Sequence, residues 1–103
     1  MELIDILKTL GNDYRLQMLQ WLKEPALHFS AEHLASTEKA FTGGVCVGAI
    51  ATKSGLAQSV VSGYLNSLKQ TGLVETKRIG KWTYYRYNAP AVAEFLSQLE
   101  QQI

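Results

Sequence analysis

Residues 56–72 alternate hydrophobic and polar positions with the period of an α-helix. The apolar positions fall at i, i+4 and i+7, so they line one face, and they are Val61, Leu65 and Leu68. Tyr64 lies at the edge of this face. Gly72 can end the helix, because glycine adopts a left-handed C′ conformation at little cost. The pattern therefore predicts an amphipathic helix over residues 58–71, about 20 Å long.

The segments on both sides of this helix predict further secondary structure. Residues 46–55 predict a short helix, and the tight connection Leu56-Ala57 leads into the longer one, as in a helix-turn-helix. Residues 73–87 hold two β-rich runs interrupted at Ile79-Gly80, which predict a hairpin. The predicted fold class is therefore mainly α with a small β-hairpin wing (α+β), a winged helix-turn-helix, in a single domain of 103 residues.

Both ends of the chain predict helices with surplus apolar surface. Residues 2–10 are apolar on more than one side. The last helix, which Pro90 can open, carries an apolar stripe. A chain of this size covers such surfaces poorly on its own. We therefore predict a two-fold homodimer through the first and last helices, with an interface formed by Leu3, Ile4, Leu7, Val92, Phe95, Leu96 and Leu99.

The segment between the first helix and the helix-turn-helix is less regular. Asn12 or Asp13 can cap a helix over residues 14–23, which Glu24-Pro25 ends. After it, about twenty residues show little periodicity, which is unusual within a compact domain. We expect one or two helical turns within residues 30–39, capped by Ser30 and with Leu34 facing inward.

This irregular segment, residues 24–44, offers two functional interpretations. His28 and Glu32 could share a metal ion with His33 if they lay one helical turn apart, but no fourth ligand is visible. We therefore expect no metal site and no cofactor. The alternative that we favour is a structural cover or one wall of a pocket for an organic effector.

The net charge of +1 conceals an uneven distribution. Residues 50–88 carry six basic side chains and one acidic one. Residues 1–49 carry four basic and six acidic side chains, and residues 89–103 carry two acidic ones. A local basic patch matters more for nucleic-acid binding than the total charge does. The basic excess therefore lies on the predicted helix-turn-helix and wing.

The polar face of the helix and the wing supply side chains suited to duplex DNA. Amide side chains can pair bidentately with adenine in the major groove, and lysine and arginine contact phosphates. Gly63 allows close approach of the backbone, and Arg78 or Lys81 is placed for a wing tip that enters the minor groove. An ordinary solvated face is the alternative. The candidate DNA-binding residues are Gln58, Ser59, Val60, Ser62, Gly63, Tyr64, Asn66, Lys69, Lys77, Arg78 and Lys81.

Other side chains narrow the range of functions. Cys46 is the single cysteine, so no disulfide can form within the chain. At a helix start its thiol could be redox-reactive, although a small buried hydrophobe is the more common role. No phosphate-binding loop, activated nucleophile or carboxylate pair is present, so we expect no enzyme. No run of about 18 apolar residues or signal peptide is present, so we expect a cytoplasmic protein without a membrane partner.

Several stretches together resemble the ArsR/SmtB family of bacterial winged-helix repressors. They are Leu10–Leu19, Val45–Gly48, Gln58–Ser62, Leu65, Leu68, Gly72–Val74 and Gly80–Asn88. The resemblance implies a dimeric winged helix, repression that an effector releases, and DNA reading by residues 58–71. The chain departs from the family at Ala57, where serine is common, and at Gly63-Tyr64, where Arg-His is common. Gly48 stands where many metal-sensing members have a second cysteine, and the last helix has no histidine.

These observations predict a sequence-specific regulator that binds double-stranded DNA. We expect a repressor that acts as a homodimer on an imperfect palindrome and that a small-molecule effector could release. Its half-sites would lie about one helical turn, roughly 34 Å, apart. The alternative is a winged-helix module for protein association without specific DNA binding, and the basic excess at the wing favours DNA.

Overall fold

The computed structural model describes residues 2–34 and 41–103. Within these residues, helices surround a small antiparallel sheet. The helices are α1 (Leu3–Leu10), α2 (Asp13–Lys23), α3 (Pro25–His28), a 3₁₀ turn (Ala31–His33), α4 (Val47–Ser54), α5 (Gln58–Gln70) and α6 (Ala89–Gln102). The strands are β1 (Val45–Cys46), β2 (Val74–Ile79) and β3 (Trp82–Tyr87). The predicted mainly α fold with a β-hairpin wing is confirmed.

The start of α2 shows why its sequence begins a helix there. The Asn12 side chain accepts a hydrogen bond from the backbone N–H of Arg15 at 3.0 Å, which satisfies a donor that the first turn cannot pair internally. Arg15 also donates through Nε to the carbonyl oxygen of Thr9 at 2.6 Å, near the end of α1. The predicted N-cap is confirmed, and the two contacts fix the corner between the first two helices.

The segment after α2 is more ordered than its pattern suggested. Pro25 opens the one-turn helix α3, which the sequence analysis did not predict. The 3₁₀ turn confirms a helical turn after Ser30, but the Ser30 hydroxyl does not cap it and instead donates to Glu32 at 3.4 Å. Leu34 is half-buried and bridges to Val45. The remainder of the predicted turn region, residues 35–40, lies outside the described residues.

The turn between α4 and α5 is held by backbone geometry and one hydroxyl. Gly55 adopts φ 74°, and its N–H donates to the carbonyl oxygens of Ala51 and Thr52. Ser54 Oγ donates to the Ala51 carbonyl at 2.9 Å and accepts from the Leu56 N–H at 3.1 Å. The helix-turn-helix is therefore confirmed, with α5 ending one residue earlier than predicted and followed by Gly72 at φ 83°.

The wing is part of a three-stranded sheet in the order β1-β3-β2. Ile79 pairs with Trp82, so Gly80-Lys81 forms a two-residue turn. Gly80 has φ 62°, which glycine adopts readily in such hairpin turns. Cys46 lies at the start of α4 as its N-cap, as predicted, and it also forms β1 with Val45, where the two residues pair with Tyr84 and Tyr85.

The hydrophobic core joins both ends of the chain to the helix-turn-helix. Ile6 of α1, and Val92 and Phe95 of α6, are buried together with residues of α2, α4 and α5. Val92 and Phe95, two of the predicted dimer contacts, are covered by the chain itself, at 8% and 6% exposure, so little of their surface is left for a partner. Their stripe on α6 faces the core because α1 and α6 pack against each other.

Asn88 connects the end of the helix-turn-helix to the last helix. Its side-chain amide donates to the Gly72 carbonyl at 2.9 Å, and its side-chain oxygen accepts from the Ala91 N–H at 3.4 Å as the N-cap of α6. Its backbone N–H also donates to the Leu73 carbonyl at 3.0 Å. One residue thus binds the turn after α5 and the first turn of α6.

Candidate nucleic-acid interface

Helix α5 presents a polar face because its apolar face is completely covered. Val61, Leu65 and Leu68 have no solvent exposure. Side chains on the opposite side of the helix must therefore point outward. The exposed members of the predicted set on α5 are Gln58, Ser59, Val60, Gly63, Asn66 and Lys69, and Ser62 is half-exposed.

Tyr64, another predicted contact, is half-exposed and also packs against α2. Its ring stacks on that of Tyr14 in α2, with 5.8 Å between centroids, and the Arg15 guanidinium carbon lies 5.6 Å from the Tyr64 centroid. Tyr64 is also packed against the core. Part of its aromatic surface is therefore used between α5 and α2, while its contact with DNA stays a prediction.

Gln58 opens α5 and lies close to α4. A Cβ atom placed on Gly48 would be 3.8 Å from Oε1 of Gln58, so the amide reaches back over the preceding helix. Gly63, in the middle of α5, has no atom within 4 Å of a Cβ placed on it. This part of the polar face is therefore open to a close neighbour.

The two faces of the wing carry different side chains. Strand alternation and the register put Lys77, Ile79, Trp82 and Tyr84 on one face and Arg78, Thr83 and Tyr85 on the other. Tyr85 is buried, whereas Trp82 is 56% exposed near the tip. Lys81 lies in the turn, with Nζ 5.4 Å from the Trp82 ring centroid. Of the aromatic residues on β3, Tyr85 and Tyr87 pack against the core.

Most basic residues of the candidate interface have no carboxylate partner in the part of the chain that the structure describes. Within the described residues the carboxylate pairs are Arg86 with Glu75, at 3.0 Å, and His33 with Glu32, at 3.4 Å. Arg86 also lies over the Phe41 ring, at 4.3 Å from its centroid. The unpaired cations at the end of α5 and along the wing are Lys69, Lys77, Arg78 and Lys81. Their charge is available to phosphate.

The candidate metal residues do not come together in the described part of the chain, and the candidate redox residue Cys46 is a free thiol. Cys46 is half-exposed beside α4, and its side chain makes no cap hydrogen bond. His28 ends α3 and Glu32 lies in the separate 3₁₀ turn, so the condition that they share one helix is not met. No three histidine, cysteine, aspartate or glutamate side chains within residues 2–34 and 41–103 come together as metal ligands.

Known proteins share both the sequence and this arrangement. The uncharacterized HTH-type transcriptional regulator YbzH of Bacillus subtilis is 42% identical over 103 residues, the full length of both chains. Mb0332 of Mycobacterium bovis, a possible ArsR-family transcriptional regulator solved as a homodimeric winged helix-turn-helix DNA-binding domain, is 32% identical. Its TM-score is 0.65 over 96% of this chain and 77% of that chain. The chain belongs to the ArsR/SmtB family.

Another ArsR/SmtB-like fold is that of NolR from Sinorhizobium fredii, which is 29% identical. Its TM-score is 0.63, and the match covers 95% of this chain and 80% of NolR. No protein-family model matches the chain. The relatives are transcriptional regulators, which confirms the family predicted from the sequence.

Two features of this ArsR/SmtB protein escaped the sequence analysis. Strand β1 brings Cys46 opposite Tyr84, and Lys53 of α4 lies over the rings of Trp21 and Phe29. Neither a two-residue strand nor a cation over rings from distant segments leaves a periodic signal. As for membranes, every helix described is too short or too polar to cross one.

Proposed function

We propose that this protein is a sequence-specific repressor that binds double-stranded DNA as a homodimer on an imperfect palindrome. Helix α5 would lie in the major groove, and the wing would follow the adjacent phosphates and minor groove. The observation that carries the proposal is the division of α5 into a fully buried apolar face and an open polar face, continued by unpaired cations on the wing. No catalytic step or cofactor is part of it.

Each part of the polar face has a distinct role in this proposal. Asn66 is exposed at the centre of α5, where its amide can donate to and accept from an adenine edge. Ser59 and Ser62 contact base edges or phosphates, and Lys69 meets phosphate at the far end of the helix. Arg78 and Lys81 bind along the minor groove, where cations are favoured.

The proposed dimer uses apolar side chains that the chain leaves uncovered on α1 and α6. Ile4, Leu7 and Leu96 are 58%, 38% and 55% exposed, and the two helices that carry them pack against each other. Leu3 and Leu99 are half-buried at the edge of the same helix pair. The homodimeric state of the Mycobacterium bovis relative supports a homodimer for this chain.

Release by an effector completes the proposed repressor. Binding to a distinct site lowers operator affinity when the effector prefers a dimer geometry that fits the operator poorly. A tenfold loss of affinity needs only about 1.4 kcal/mol of differential binding. Such a difference can come from a small movement of α5 or the wing.

Selection from a random duplex library tests the proposal. The purified protein should enrich a palindrome whose half-sites lie about 34 Å apart. Asn66→Ala should weaken binding by about 1–3 kcal/mol per half-site and relax one position in each. Gln20→Ala, which removes an exposed amide on α2, is the matched control and should leave the selected sequence unchanged. Absence of DNA binding even at low salt would instead favour the protein-association module.

A further inference from the structure

A groove of about 720 Å³ lies between α3 and the 3₁₀ turn on one side and α4 and the wing on the other. Its volume is in the range of sites that hold small organic ligands, about 300–1,000 Å³. Three aromatic side chains line it: Phe29 follows α3, and Trp82 and Tyr84 lie on one face of β3. The groove therefore offers flat apolar walls on opposite sides.

Lys53 gives this groove a cation that has no carboxylate partner among residues 2–34 and 41–103. Its Nζ lies 5.3 Å from the Trp21 ring centroid and 5.8 Å from that of Phe29, so two rings position the ammonium group. Of the described residues that line the groove, Glu32 alone is acidic, and its carboxylate lies 3.4 Å from Nε2 of His33. A ligand in the groove thus meets aromatic walls and one unpaired positive charge.

We propose that the groove binds a small planar aromatic carboxylate. Its ring would lie against Trp82, Tyr84 or Phe29, and its carboxylate would pair with Lys53. Flat apolar surfaces favour an aromatic ring through stacking and burial, and a charge-assisted hydrogen bond orients the anionic end. A cationic ligand would be repelled by Lys53, and a neutral one would leave that charge unpaired.

The same groove touches both elements that the proposed function assigns to DNA. Gln58, the first residue of α5, and Trp82, the first residue of β3, both line it. A ligand that contacts them would shift the start of the reading helix relative to the wing. This regulatory step rests on the proposed function: the aromatic carboxylate is the effector that lowers operator affinity.

Binding is tested first without DNA, using 1-naphthoate as the probe and the neutral 1-naphthamide as its matched control. The chain contains two tryptophans, Trp21 and Trp82, so its NMR spectrum has two indole N–H signals that Trp82→Phe assigns. We expect 1-naphthoate to shift the Trp82 signal in a saturable titration. The amide should bind about tenfold more weakly, because it lacks the charge that pairs with Lys53.

Lys53→Met keeps the length of the side chain and removes its charge. It should weaken 1-naphthoate about tenfold and leave 1-naphthamide unchanged, whereas Lys23→Met at the end of α2 should alter neither. Equal affinity of the acid and the amide, or no effect of Lys53→Met, would overturn the proposed ligand class. No titration of the Trp82 signal at millimolar probe would overturn the site.

A second titration follows operator binding by fluorescence anisotropy. Saturating 1-naphthoate should weaken operator binding of the native protein about tenfold, and Lys53→Met should need about ten times more probe for the same effect. DNA binding that persists unchanged while the groove is filled would reject the regulatory step. If 1-naphthoate binds in the groove but the protein binds no DNA, the proposed function is rejected and the ligand site is retained.

Discussion

The phenol ring of Tyr64 on α5 stacks on that of Tyr14 on α2, with ring planes 13° apart and centroids separated by 5.8 Å. Arg15 lies beside the same pair, with its guanidinium carbon 5.6 Å from the Tyr64 centroid. Offset stacking at this distance is favourable beyond simple burial. The pair therefore connects the helix with the open polar face to the scaffold behind it.

A double-mutant cycle with Tyr14→Leu and Tyr64→Leu should show this connection as a coupling free energy. We expect about 0.5–1.5 kcal/mol in the free energy of unfolding, measured by urea denaturation. Tyr64→Phe keeps the ring and should leave operator affinity within about twofold, since the ring that packs against α2 is retained. A large affinity loss in Tyr64→Phe with unchanged stability would show that the hydroxyl contacts DNA.

Gly63→Ala should change the stability of the protein and its affinity for DNA in opposite directions. A Cβ at this position meets no atom within 4 Å in the chain, and alanine is favoured over glycine inside a helix by about 0.5–1 kcal/mol. We therefore expect a more stable protein that binds its operator more weakly, because the added methyl group blocks close approach of the α5 backbone. Gln70→Ala, on the exposed end of α5, serves as the control and should leave operator affinity unchanged. Undiminished affinity in Gly63→Ala would mean that the backbone stays away from DNA.

Lys69 and Arg78 should contribute to DNA affinity through their charge, whatever the sequence of the DNA. Replacing either by methionine or glutamine should reduce the slope of log affinity against log salt by about one per half-site and preserve the ranking of operator variants. Lys8→Met on α1 removes a charge outside the candidate interface and should leave the slope unchanged. If the ranking changed while the slope did not, the side chain would read a base instead of a phosphate.

Ile4→Glu and Leu96→Glu should each convert a dimer into a monomer. The substitutions put charge on side chains that are 58% and 55% exposed in one chain, so folding should survive while association is lost. Size-exclusion chromatography with light scattering measures the mass, and operator affinity should fall with it. Leu27→Glu is the control, because Leu27 is 74% exposed on α3. A native protein that remains monomeric at micromolar concentration would contradict the proposed interface.

The periodic parts of the fold were predictable because their apolar residues repeat over several turns. Helix α5 begins at Gln58 as predicted, and the glycines after it and at the wing tip mark real chain reversals. Helix α3 and strand β1 were not predictable on this basis, since four and two residues are too few to establish a period. The bridge between Leu34 and Val45 depends on residues that are remote in the pattern.

The sequence predicted which face of α5 is exposed, but it did not predict what every side chain on that helix contacts. The buried stripe of α5 determines which positions are exposed, so Ser59, Asn66 and Lys69 could be assigned from spacing. The stacking partner of Tyr64 comes from another helix, and spacing within α5 carries no information about it. For the same reason, the stripe on α6 did not reveal that Val92 would be covered by its own chain and Leu96 would not.

The hydrogen bonds of Asn88 have a consequence for how the proposed dimer measures DNA. This residue holds the turn after α5 against the first turn of α6. A rotation of α6 in the dimer should therefore rotate α5 by a similar amount. In the proposed dimer, the packing of α6 against its partner would therefore set the distance between the two α5 helices. One base pair inserted at the centre of an operator rotates its half-sites relative to each other by about a tenth of a helical turn. A dimer with a fixed distance between its α5 helices cannot adjust to this rotation, so it should bind such an operator more weakly.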